Sequence, residues 1–385
     1  MGDSFTEVSH QSWFSRIGSA IKGIFFGLII FVIAFPLLFW NEGRAVRRQK
    51  TLEEGSGLVM SVSADRVDPA NDGKLIHVTG TADTTETLKD PVFGVSANAL
   101  KIRRDVEMYQ WEEKEKKNTR KKIGGGTTTT TTYTYSKTWS SSVIHSSNFK
   151  QAGDHQNPGN MPYASETWTA NPVTLDAYTL SSSLLGKINT YTSLAVDADT
   201  SAPAGMQKVG DIFYRGENPA SPEIGDIRVT FQKVPATPVS IVAKQVQNTF
   251  EPYTSKNGGK LELLEIGTFS AEAMFTQAQA DNRTMTWLIR GGGFLLMWIG
   301  LGMMLKLLSV LADVLPFLGN IIGAGTSLIA GLVAAVLSLI TVAVAWVVYR
   351  PLLGVALLAA ALAIVFVVRS KLKKATPPPH TVSAG

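Results

Sequence analysis

The chain has 385 residues, a net charge of +5 and 45% hydrophobic residues, enough for one or two domains. It contains no cysteine, which excludes disulfides, cysteine-ligated zinc and thiol nucleophiles. Much of the positive charge flanks apolar segments, as expected for contact with lipid headgroups, and no aromatic-interleaved basic motif points to nucleic acid.

Residues 1–20 read as an N-terminal tail in which Trp13, Ile17, Ile21 and Ile24 fall at helical spacing, with Arg16 and Lys22 on other faces. The pattern suggests an interfacial amphipathic lead-in; a disordered tail with a few apolar residues is the alternative. Residues 21–40 form the first expected transmembrane helix, almost purely apolar from Gly23 to Trp40. At 1.5 Å per residue that run nearly matches a hydrocarbon core of about 30 Å. Trp40 suits the headgroup level, with Arg44, Arg47 and Arg48 beyond it. The run is too long for a cleavable signal peptide, and Trp40-Asn41-Glu42 is no small-residue cleavage site, so a retained anchor is expected.

Residues 41–286 read as a β-rich extracytoplasmic domain. Short runs such as Leu75 to Thr79, Ile227 to Phe231, Val239 to Val246 and Leu261 to Ile266 suit strands, punctuated by turn signals such as "NDGK" at Asn71 to Lys74. A long hairpin is expected between Asp105 and Ser142, with Tyr109 and Trp111 alternating on one strand and Tyr133, Tyr135 and Trp139 on the other. Its charged, Gly- and Thr-rich tip is expected to be solvated and mobile. Phe269 to Arg283 suits a juxtamembrane helix with Ser270 as N-cap, leading straight into the next span.

Residues 287–308 are the second expected span, with Arg290 and Lys306 placed to snorkel. The apolar stretch that follows would make one helix about 50 Å long, beyond a bilayer core. Gly319, Gly323 and Gly325 are therefore expected to break it into an interfacial loop or short helix over 309–325 and a third span over 326–348. Tyr349, Arg350 and Pro351 suit a tight turn, 352–368 a fourth span, and 369–385 a basic, Pro-rich tail. The expected class is an α+β membrane protein: four transmembrane helices, one N-terminal and three C-terminal, with the β-rich domain between the first and second. The cluster Arg369, Lys371, Lys373 and Lys374 argues that both termini are cytoplasmic, against Arg44, Arg47, Arg48 and Lys50 after the first helix, which argue the other way.

No catalytic constellation emerges. The five histidines form no H-E-x-x-H, no G-x-S-x-G occurs, and the tip glycines lack the Gly-Lys-Ser/Thr of a phosphate loop. No catalytic residue, metal or cofactor is therefore expected, and the chain is read as a non-enzyme. His155 beside Asp154 could be half of a metal or acid–base site, although a turn histidine stabilising an Asn-Pro loop is the plainer reading. Asp313 lies near the membrane, where it could line an ion path or simply cap a helix. Gly23 with Gly27 and Gly319 with Gly323 form small-xxx-small pairs that permit close helix packing.

Several motifs in order across the chain resemble the transmembrane protein 43 family, also called LUMA. They are "NEGRA" (Asn41, Glu42, Gly43, Arg44, Ala45), "RRDVEMYQW" with Glu107, Tyr109 and Trp111, and "H-x-NP" with His155, Asn157 and Pro158. "GDIFY…ENP…PEIGDIRVTF" carries Arg228, and "FSAEAMF" and "WVVYRPL" with Tyr349, Arg350 and Pro351 complete the set. The resemblance implies four spans and a large domain in the lumen of the endoplasmic reticulum or nuclear envelope, or on the periplasmic face of a bacterial inner membrane. The hairpin tip departs most from the animal members, and the chain reads as a prokaryotic one. Animal members are regarded as organisers of inner-nuclear-membrane protein complexes with links to lamins, emerin and innate signalling, and with suggested ion conductance. Lamin and emerin would not carry over to a prokaryote. The expected role is a membrane scaffold that organises protein complexes or maintains envelope structure, partnered by the bilayer, by other membrane proteins and by further copies of itself. An ion channel or conductance regulator built from the helices is the alternative.

Overall fold

In the computed structural model, which describes residues 3–197 and 199–352, the apolar runs form three long helices. They are α1 (Trp13–Leu58), α3 (Ala271–Ala312) and α4 (Pro316–Tyr349); a short α2 (Ser182–Lys187) lies between. The three long helices are the candidate membrane spans among the described residues. The expected fourth span, 352–368, and the basic tail lie outside the described residues, so the count of four has no support here.

Each long helix exceeds its expected bounds. α1 does not stop at Trp40 but runs on to Leu58, through the polar NEGR motif, and its 46 residues would extend about 69 Å. Pro36 lies inside it. α4 is unbroken from Pro316 to Tyr349, so Gly319, Gly323 and Gly325 do not interrupt it, and the interfacial stretch expected over 309–325 shrinks to a short break. Only Asp313–Leu315 separate α3 from α4. In lipid an interrupted backbone has no water to satisfy it, so a helix tolerates glycine there. Length beyond the core is accommodated by tilt or protrusion.

By contacts the chain divides into two units. The first comprises the described residues up to Gln11, Thr51–Lys121 and Thr127–Gln279; the second comprises Ser12–Lys50, Lys122–Gly126 and the described residues from Ala280.

The first unit is built from two sheets on one core. One sheet runs in the order Ser4–Gln11, Thr127–Ser140, Lys101–Lys121, Ile227–Val234, Ile212–Arg215, Gln207–Val209. The other centres on Thr237–Val246, which pairs with both Leu75–Asp83 and Leu263–Ile266. Alternation along Lys101–Lys121 sends Ile102, Val106 and Met108 inward, where they meet Phe213, Phe231 and Ile241. Burial of each such side chain stabilises by about 1.5–3 kcal/mol. A smaller cluster packs Leu52 of α1 and Met274 and Phe275 of α3 against Leu75, Val242 and Leu261.

Two expectations for this unit are corrected. The expected tail is in part a strand: Ser4–Gln11 is an edge strand paired with Thr127–Thr134, and the helix that the spacing from Trp13 suggested begins at that residue. The hairpin ladder also continues to Lys121↔Thr127, leaving only Lys122–Gly126 as its turn. Threonine favours strands, and a third strand along the Thr run stabilises what an isolated hairpin would not.

In the second unit α1, α3 and α4 pack through Ala34, Leu38, Met297 and Ala334. The glycine pairs act within the chain. A Cβ on Gly27 would lie 2.6 Å from the Gly300 carbonyl, and one on Gly300 would lie 2.7 Å from the Gly27 carbonyl, so α1 and α3 approach backbone to backbone here. Gly23 meets nothing, Gly319 leaves room for the Asp313 side chain, and Gly323 leaves room for Ser309. The outward faces, including Phe25, Phe26, Ile29 and Ile33 of α1, are exposed apolar surface suited to lipid.

Candidate functional site

The densest polar cluster of the helical unit is centred on Glu42. On α1, Leu38, Asn41, Glu42 and Ala45 share one face at positions i, i+3, i+4 and i+7, and all four are buried. On α3, Asn282, Thr286 and Arg290 recur every four residues. At the end of α4, Trp346, Tyr349 and the C-cap Arg350 fall at i, i+3 and i+4.

The Glu42 carboxylate is 1% exposed and accepts three hydrogen bonds. Arg290 donates from Nε to Oε1 at 2.6 Å and from Nη2 to Oε2 at 2.8 Å, and Trp346 donates from Nε1 to Oε2 at 2.8 Å. The paired donors of the guanidinium match the carboxylate fork, the geometry that makes a charge-assisted pair strong. The Arg290 guanidinium also stacks over Trp287 at 4.7 Å and Trp346 at 5.6 Å. Taking both charges out of water is costly unless the remaining polar atoms are satisfied, and here three donors on two other helices converge on one acid.

The neighbouring residues extend the network. Asn41 donates to the Thr286 carbonyl at 3.1 Å, and its own Oδ1 accepts from Arg44 at 3.1 Å. Arg44 also donates to Asn282 Oδ1 and Thr286 Oγ1, each at 3.2 Å, while Asn282 donates to the Ala45 carbonyl at 3.0 Å. Gly43 is required by a close approach: a Cβ there would lie 2.6 Å from the Tyr349 ring, which packs against Phe39 at 5.2 Å. Arg350 donates to Gln49 at 2.8 Å. Two distant motifs, NEGR and YR, thus meet in one network, while Pro351 follows α4 and is exposed. Arg290 was expected to snorkel to the headgroups; instead Glu42 holds it. Chemically the hub is closed: its carboxylate oxygens are committed to donors, and it ties three helices together.

Asp313 sits in a second buried corner, fully covered, where it pairs with Arg16. Arg16 also donates to the Gly125 carbonyl, Trp13 Nε1 donates to the Val310 carbonyl at 2.8 Å, and Gly124 N donates to the Val314 carbonyl at 3.0 Å. The Asp313 carboxylate lies beside the first turn of α4, where a Cβ on Gly319 would collide with it, and the N-cap residue of α4 is Leu315.

The remaining motif residues lie in the β-rich unit. Arg228 donates to Glu107 at 2.7 Å and stacks over Trp139 at 4.5 Å; Trp139 is the cross-strand partner of Tyr109. His155 is buried between Tyr135, stacked at 3.8 Å, and Trp111, edge-on at 4.7 Å. Its Nε2 faces Asp3 at 3.0 Å, not the exposed Asp154, and its Nδ1 faces the Gln151 carbonyl at 3.0 Å. Asn157 takes the place of a strand partner: its Oδ1 accepts from Trp111 N at 2.7 Å and its Nδ2 donates to the Trp111 carbonyl at 2.9 Å. Pro158 packs beside Gly225, whose φ of +96° suits glycine. Among the described residues no three His, Asp or Glu side chains cluster to hold a metal.

Tyr135 gives this box a pH signature. Burial, reinforced by the hydrogen bond it donates to Glu113 at 2.7 Å, pushes its phenol up to about 12. An unfolded phenol titrates near ~10, so the folded state holds its proton more tightly. The contribution is therefore complete below about pH 10 and is lost as pH rises through about 12. Alkaline unfolding followed by tryptophan fluorescence should show this loss, and Tyr135→Phe should flatten the profile between those limits; an unchanged profile would count against the assignment.

Residues 108–351 match the sequence model of the family described as Transmembrane protein 43. Transmembrane protein 43 of Pongo abelii and that of Homo sapiens are each 36% identical to the chain over 374 residues, covering 94% of it and 93% of the relative. The Transmembrane protein 43 homolog of Drosophila melanogaster is 30% identical over 342 residues, covering 87% of the chain and 91% of the relative. No solved structure matches. With the helical motifs meeting in one network and such similarity along nearly its whole length, the chain belongs to the Transmembrane protein 43 family of membrane proteins.

Proposed function

We propose that the chain is a non-enzymatic membrane scaffold: the helices form a fixed anchor, and the β-rich unit presents binding surface to other membrane proteins and to further copies. In this reading the β-rich unit is lumenal or periplasmic and the termini are cytoplasmic. The observation that carries the proposal is the closed hub. Glu42, buried among the helices, is engaged through both carboxylate oxygens by Arg290 and Trp346, which suits a part that holds shape better than one that turns over substrate. The alternative, an ion path past Asp313, requires that carboxylate to face a permeating ion, whereas it is engaged by Arg16.

In-membrane crosslinking of the full-length chain, followed by mass measurement in mild detergent, tests the scaffold. Multiples of the chain mass, together with recurrent crosslinks from the β-rich unit to other membrane proteins, are expected. A strictly monomeric particle without such crosslinks would refute it. Ion flux in liposomes that Asp313→Ala abolishes would favour the channel instead.

A further inference from the structure

A cleft of about 320 Å³ opens between α3 and α4, away from the Glu42 hub. Its walls include Gly302, Lys306 and Ser309 of α3 and Gly323, Thr326 and Ser327 of α4, with Ile299 and Met303 as the apolar part of the lining, Ile299 being half exposed. Gly302 faces open space, so the cleft is wide beside it. Lys306 is exposed, and its ammonium makes no ion pair among the described residues. It contrasts with Arg16, Arg44, Arg290 and Arg350, which are all engaged within the helical unit.

Depth and chemistry point the same way. Lys306 follows Arg290 by sixteen positions, about 24 Å along a helix, close to the ~30 Å of a hydrocarbon core. The two positions therefore lie towards opposite ends of the span on α3. Arg290 is spent on Glu42, whereas the exposed Lys306 brings three N–H donors to a cleft whose lining within two turns, at Met303 and Ile299, is apolar. Ser309 and Thr326 bond carbonyls of α4, at Gly319 and Gly323, which keeps the mouth polar. A ligand with an anionic head and an aliphatic tail satisfies both ends.

We propose that this cleft binds one anionic phospholipid, its phosphate on Lys306 and an acyl chain along Gly302 toward Ile299. A zwitterionic lipid presents its own cation beside the phosphate and gains less from a lone lysine.

The test uses the full-length chain in neutral detergent, offered equal amounts of phosphatidylglycerol and phosphatidylcholine, with retained lipid counted by native mass spectrometry. Wild type should retain phosphatidylglycerol about fivefold over phosphatidylcholine, and Lys306→Gln should remove that preference, as expected for one lysine facing anionic lipid. Lys306→Arg should preserve it. Gly302→Leu, which fills the cleft where no atom is met, should remove bound lipid while leaving the elution volume and helical content unchanged. Equal retention of the two lipids, a Lys306→Gln variant indistinguishable from wild type, or displacement by millimolar inorganic phosphate would overturn the proposal. So would a Gly302→Leu variant that converts an oligomer to monomer without changing retained lipid, since the cleft would then receive a second copy.

Discussion

Glu42→Ala is expected to cost about 3–5 kcal/mol, because it strands a buried arginine rather than merely deleting a contact. Arg290 has its Nε and Nη2 directed at the lost carboxylate, and Trp346 Nε1 loses its acceptor as well. An exposed ion pair would be worth only about 0–1 kcal/mol, so the size of the loss separates a working hub from an ornamental one. The measurement is unfolding of the full-length chain in mild detergent by scanning fluorimetry. Glu42→Leu combined with Arg290→Met should recover most of the loss, since no charge is then left unpaired. If Glu42→Ala melts like wild type, or if the double variant is no better than the single, the hub does not hold the helices together.

The second large effect lies in the β-rich unit, at Asp90. Its Oδ2 accepts from Arg104 Nη1 at 2.7 Å, and its Oδ1 accepts from the backbone N–H groups of Val92 at 2.7 Å and Phe93 at 2.9 Å. Both side chains are buried, and Arg104 is flanked by Phe93 and Trp168. Asp90→Ala removes the buried one of Arg104's two carboxylate partners, leaving the half-exposed Glu166 at 3.2 Å, and orphans two N–H donors, so a loss of about 3–5 kcal/mol is expected. Asp90→Asn keeps an oxygen for the N–H groups, and its cost should fall to about 1–3 kcal/mol. Proteolysis of the full-length chain under increasing urea, scored by cleavage within the β-rich unit, should rank the three proteins in that order. Equal susceptibility of wild type and Asp90→Ala would contradict it.

Much of this architecture was legible in residue order. Apolar runs longer than about 18 residues mark spans because lipid demands them, and alternation along Lys101–Lys121 marks a strand because side chains alternate across a sheet. The same period put Tyr109 and Trp139 on facing strands of one hairpin, but the register that sets them opposite each other was not in it. The NEGR, YRP and H-x-NP motifs were visible as unusual residues without visible reasons. The four-residue recurrence of Asn282, Thr286 and Arg290 was also present in the sequence, but its meaning depends on what the opposite helix offers.

The sequence alone therefore determined the division into greasy helices and a strand-rich region, because hydropathy and periodicity are properties of a segment and its solvent. Only tertiary structure decided that Arg290 serves Glu42 and not the headgroups, that Asp313 is paired with Arg16, and that glycines in α4 make room without breaking the helix. It also decided that Ser4–Gln11 is a strand, since that segment owes its pairing to the threonines at 127–134. The two ion pairs and the edge strand depend on partners 100 or more residues away in the chain, the α4 glycines on side chains of the neighbouring helix and turn, and a buried polar group takes its role from whichever partner satisfies it.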